Sequence, residues 1–242
     1  MSARSTASTD ERRMTVRSSS RRTLSVLLAL AVGLGFAAAC GSADESPQMA
    51  TVDASEGLPF ESLSDWKSYA DAVVVLRVTD ERAESDPAAP DSAQIAPLRY
   101  VTTEFEQVIW SRSEEQPKRL EFLTQGWEIL GGKRVPAAPS EGPRLEVGER
   151  YFAAVVVGGV RPGVMTASSV LLIDGDTVTA GERSTPFVQS NLEGRSLEDV
   201  ANAVGAAKPD PLAAKYERLP PMDRYSAVVE ERSSLASSGS GD

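Results

Sequence analysis

The chain has 242 residues, with 25 basic and 35 acidic side chains and a formal net charge of −10. It has no histidine and one cysteine. These counts exclude an internal disulfide, a serine–histidine–acid triad and every histidine-based zinc or copper site, and the acidic balance argues against electrostatic binding of nucleic acid.

Residues 1–22 form a positive lead, with Arg4, Arg12, Arg13, Arg17, Arg21 and Arg22 against Asp10 and Glu11. From Thr23 to Ala39 no side chain is charged. A permanent membrane span needs about 20 apolar residues. This run is shorter, holds two glycines and ends in small residues, the pattern of a cleaved secretion signal. Cys40 follows directly after Ala37-Ala38-Ala39 and precedes Gly41-Ser42. The arrangement resembles the lipobox of bacterial lipoproteins, departing from it at Ala37, where leucine is usual. The resemblance implies that the Cys40 thiol is acylated and becomes the new N-terminus, anchoring the chain to the extracytoplasmic face of the cell membrane. An ordinary signal cut near Ala39 and an uncut anchor are the alternatives. Ser20-Arg21-Arg22-Thr23-Leu24 also resembles a twin-arginine export signal, with Ser25 where that family has a basic residue. The arginine- and serine-rich lead is similar in style to those of high-GC Gram-positive bacteria.

Of the 242 residues, a leader of 39 leaves 203, with 19 basic against 33 acidic side chains. That length fits one domain. Residues 40–59 are polar and lack periodicity, which predicts a flexible tether. A β-rich domain is expected over 60–205, and a Pro/Ser-rich disordered tail over 206–242.

Leu63, Trp66 and Ala70 recur at helical spacing, with Ser62 or Ser64 as a cap, and predict a short helix over 61–70. Asp71 to Val78 is a β-branched run and the expected first core strand. Residues 81–97 are rich in Pro, Asp, Ser and Ala and read as a long loop. Leu98 to Trp110 reads as the second strand. A period of two puts Thr102, Glu104 and Glu106 on a wet face, and Val101, Thr103, Phe105 and Ile109 on a buried one. Residues 118–125 are the third strand. Residues 126–142 read as irregular, with Trp127 beside Gly126 and Gly131-Gly132. Gly148 is expected to turn the chain into a fourth strand over 152–157. Asp174-Gly175-Asp176 between apolar runs predicts a hairpin. A calcium loop there would need carboxylates at further alternate positions. Ser196 caps an amphipathic helix over 196–204, three residues before Asp199.

Three segments together are similar to a group of secreted bacterial β-barrel domains. They are Ala70-Asp71-Ala72-Val73-Val74-Val75 after a short helix, the strand from Thr103 to Trp110, and Leu145-x-x-Gly148-Glu149-Arg150-Tyr151-Phe152. A departure is Ile109-Trp110-Ser111-Arg112, where such domains often have Lys-Gly. The resemblance implies a mainly β fold. The expected form is a small Greek-key, OB-like barrel or sandwich of five to six strands, with one helix before the first strand and one C-terminal helix. It is similar to the inhibitory domain of tissue inhibitors of metalloproteinases, but implies no inhibitor activity.

These readings predict a lipid-anchored, non-enzymatic binding module for an envelope protein or glycan, with no catalytic residue, metal or cofactor. Trp127, Thr102, Glu104 and Glu106 are its candidate contacts. A small-ligand or lipid carrier is the alternative. A carboxylate-based glycan hydrolase ranks below it, since no acid pair stands out by spacing.

Overall fold

A computed structural model describes residues 49–52, 57–84, 98–159, 161–181 and 183–238, all within one unit spanning 45–242. The sequence expectations for the 1–39 leader, Cys40 and most of the 81–97 loop therefore lie outside the described residues.

Helix α1 (Leu63–Tyr69) starts where Ser62 Oγ accepts from the Asp65 N–H at 3.0 Å. Its Trp66 and Tyr69 are buried, and Trp66 Nε1 donates to Phe60 O. Strand β2 (Ala72–Ala83) follows and is the spine of the larger sheet. It pairs antiparallel with β3 (Leu98–Ser111) on one side and β7 (Arg150–Val156) on the other. The sheet extends through β4 (Arg119–Gln125) beyond β3, and through β9 (Val170–Asp174) and β10 (Thr177–Thr179) beyond β7. Strand β8 (Gly163–Val164) also pairs with β7.

Residues 72–76 of β2 are all fully buried, because both faces of the strand meet a core. Val73 and Val75 pack with Trp66, Phe152 and Leu171 in one cluster. Ala72, Val74, Leu76 and Val78 pack with Phe122, Tyr151 and Val155 in the other. This is period-two alternation with two apolar faces, which explains the unbroken β-branched run in the sequence.

The mainly β expectation holds, but the described architecture is larger than a five- to six-stranded barrel. Ten strands and five α-helices lie in the described residues. The larger sheet does not close: β4 approaches β8 through Phe122 against Gly163, yet backbone pairing ends at β4 on one edge and β10 on the other. Part of the stretch read as irregular is a second, three-stranded sheet. Its strands β5 (Trp127–Leu130) and β6 (Lys133–Pro139) form a hairpin around Gly131-Gly132, whose φ angles of 58° and 77° suit a two-residue turn. Strand β1 (Ala50–Val52), inside the expected tether, pairs parallel to β6.

The expected tail is largely helical. After α2 (Pro186–Asn191) and the foreseen α3 (Leu197–Ala206) come α4 (Pro211–Lys215) and α5 (Pro221–Ser238). Pro211 and Pro221 open helices instead of breaking them, since a first-turn residue has no intrahelical N–H bond to lose. Ala213 and Val228 join the cluster around Trp66. The hairpin at 174–176 and the turn at Gly148 (φ 93°) form as the sequence predicts.

Candidate binding groove

Two buried arginines organise one end of the larger sheet. Arg99, at the start of β3, is 1% exposed. Its Nε donates to Gln125 O at 3.0 Å, its Nη2 donates to Leu145 O at 2.6 Å, and its Nη1 meets the Glu81 carboxylate. Arg144 leads out of the Pro-rich loop after β6. Its Nη1 donates to Gly126 O and, at 2.9 Å, to Ala137 O, and its Nε stands 2.8 Å from Glu146 Oε1. These bonds tie the smaller sheet to β3 and β4. Burial lowers the Arg99 pKa, the like charge of Arg144 lowers it further, and Glu81 partly offsets both. Tyr151 supports the corner: its hydroxyl donates to Arg144 O at 2.8 Å and accepts from the Glu146 N–H at 2.7 Å. Burial pushes that phenol up to about 12, so it stays a neutral donor.

Beside this clasp opens a groove of about 520 Å³, within the size range of ligand sites, about 300–1,000 Å³. Arg99, Arg144 and Arg161 line it together with Gln125, Val164 and Thr166. Among the described residues its lining contains no carboxylate. Thr166 is 6% exposed, and neither its Oγ1 nor Gln125 Oε1, both buried, has a hydrogen-bond partner among the described residues. Arg161 is exposed and makes no ion pair or hydrogen bond among the described residues. It also lines a second cleft of about 530 Å³, whose walls include Leu58, Val156, Met165, Pro221 and Met222. Val164 is common to both.

The residues singled out from the sequence lie apart. Cys40 is outside the described residues. Trp127 on β5 is half-buried, with the guanidiniums of Arg134 and Arg144 each 5.7 Å from its ring centroid. Glu104 and Glu106 are exposed on β3, whereas Thr102 is buried at 4% exposure and is not part of the wet face that the sequence predicts. The register irregularity opposite Thr102 and Thr103 has its extra residue, Thr79, on β2, and the pairing of β3 with β4 runs through both threonines unbroken. Glu106 is held by Arg77 Nε and Arg150 Nε, each at 2.7 Å. Burial would raise its pKa, but hydrogen bonds from Arg150 and Arg77 outweigh it and leave the carboxyl below its ordinary value. Sequence reasoning missed Arg99, Arg144, Arg161 and Thr166. Their shared trait, a wall without acids in an acidic chain, exists only once strands distant in sequence are brought together.

Among the described residues no group of three or more Asp, Glu, His or Cys could hold a metal ion, and no helix is long and apolar enough to cross a membrane. Comparison with protein-family models, curated proteins and solved structures finds no match to this chain.

Proposed function

We propose that this chain is a lipid-anchored, extracytoplasmic, non-enzymatic binding module, and that the arginine-lined groove is its site for an anionic envelope component. One observation carries the reading: a chain with a net charge of −10 lines this groove with three arginines and no carboxylate among the described residues. Gln125 and Thr166, which also line the groove, each carry a buried side-chain oxygen with no hydrogen-bond partner among the described residues. The adjoining apolar cleft favours a second reading, a carrier of a small ligand.

A photo-crosslinking residue tests the site in cells. It replaces Leu123, which is 41% exposed and lines the groove, or Glu198, exposed on α3 and lining neither cleft. The expected result is a dominant adduct from position 123 that is lost with Arg161→Glu and absent from position 198. The same products from both positions would overturn the assignment.

A further inference from the structure

The groove and the apolar cleft are of similar size and meet at Arg161 and Val164. Their chemistry differs. Near the groove, the three guanidiniums of Arg99, Arg144 and Arg161 face two carboxylates, Glu81 and Glu146, which pair with the first two. Among the described residues this leaves Arg161 without a paired carboxylate; it is exposed and lines both spaces. Thr166 also lines the groove. The cleft beyond offers Leu58, Val156, Met165 and Met222, and among the described residues Asp223 is the one carboxylate in its lining. Met222 is 52% exposed, and unbranched thioether side chains adapt to flexible chains.

We propose that the two spaces together form one site for a single-chain monoanionic amphiphile, a long-chain carboxylate being the simplest case. The head pairs with Arg161 in the groove and the apolar chain lies along the cleft past Met165 and Met222. Charge complementarity fixes the direction. An anionic head beside Asp223 would meet a like charge, whereas at Arg161 it meets a cation with no ion-pair partner among the described residues. A cationic amphiphile is disfavoured there by Arg161, whose charge no carboxylate among the described residues offsets. A short carboxylate lacks the chain that fills the cleft, so it gains only one exposed ion pair, which is weak in water. The inference rests on the groove being a ligand site and takes the small-ligand form of that reading.

The test uses the full chain in isolated membranes and a long-chain carboxylate carrying a photoreactive diazirine. Adducts are located by peptide mass spectrometry. Labelling is expected on the peptides holding Met165 and Met222. Excess palmitate should suppress it and excess acetate should not. Arg161→Glu should reduce the adduct at least tenfold, while Arg161→Lys should retain it. A diazirine-bearing long-chain trimethylammonium should label these peptides at least tenfold less. Equal labelling of the Arg161→Glu protein, equal labelling by the cationic probe, or no adduct on these peptides would each overturn the proposal. The Leu123 crosslink separates the two readings. If it persists while the carboxylate probe fails, the amphiphile falls and the groove stands as a site for another anion. If both fail, the groove itself is wrong.

Discussion

Glu106 shows how a surface residue can be structural instead of functional. It was a candidate contact because it lies on an exposed strand face, but both its oxygens are taken, one by Arg77 and one by Arg150, across three adjacent strands. Its folded-state pKa is lowered, so the stability it contributes is present above the ordinary carboxyl value of 4.5 and is lost as pH falls through the lowered value. Glu106→Gln should cost about 0.5–1 kcal/mol at pH 7, the discounted worth of a partly exposed pair, and close to nothing once acid has protonated the wild-type carboxyl. Urea melts of both proteins at the two pH values check this, and a penalty unchanged in acid would refute it. Gly142 is constrained by space. A Cβ there would lie 2.3 Å from Ala167 O, and Gly181 packs its own backbone against Gly142. Since Ala167 lines the groove, Gly142→Ala should destabilise the fold by about 1–3 kcal/mol and weaken the Leu123 crosslink together with it. Thermal melts and the crosslink yield report on the two effects separately. Neither constraint is legible in the sequence, where Glu106 is one of 35 acids and Gly142 one of 18 glycines.

At the scale of elements, legibility followed the strength of the local signal. Strands β2 and β3 were readable because long β-branched or alternating runs have few other uses, and α1 and α3 because serine caps precede their apolar stripes. The smaller sheet was not read, although Gly131-Gly132 carries a hairpin signal, because its strands are short and prolines interrupt them. The C-terminal helices are not legible in a Pro/Ser-rich composition, because Pro211 and Pro221 stand at the first turns of α4 and α5, where proline is tolerated. What holds α5 is also invisible locally. Arg224 is 1% exposed and donates to Ser68 O at 2.8 Å, which ties α5 to the end of α1, and to Leu219 O at 2.8 Å. Burial and the neighbouring Arg112 bring its pKa down to about 10, so it remains a cation at neutral pH. Arg112 donates to Lys67 O at 2.6 Å, so two guanidiniums serve the carbonyls at the end of α1. Arg224→Met keeps the apolar stem and removes the donors. Leaving those buried carbonyls unpaired should cost about 1–3 kcal/mol. Hydrogen exchange should then accelerate in α5 while β2 and β7 keep their protection. Unchanged protection of α5 would show that Val228 and Tyr225 hold the helix without the arginine.

At the scale of the whole molecule, the sequence offers a contiguous basis for a proposed location and none for the groove. An apolar run followed by alanines and a cysteine is a contiguous signal, whereas the groove draws on β3, β4, β6, the loop around Arg144 and β8, which meet only after folding. The proposed anchor would bear on the proposed groove. Two acyl chains hold a protein at a membrane far better than one, at about 0.8 kcal/mol per buried CH₂. A doubly acylated Cys40 would keep the groove close to the bilayer, where long-chain anions and envelope components are concentrated, and the residues between Cys40 and β1 would set its reach. Cys40→Ala should therefore abolish incorporation of labelled palmitate and shift the chain from the membrane to the soluble or secreted fraction. Fractionation of cells grown with a clickable palmitate analogue measures both at once. Loss of label with retention in the membrane would mean that the apolar run of 23–39 stays uncut and holds the chain itself. Label unaffected by the substitution would remove the lipobox reading and with it the anchor. In either case the Arg161 tests still apply, because they depend on a part of the chain far from Cys40 in sequence.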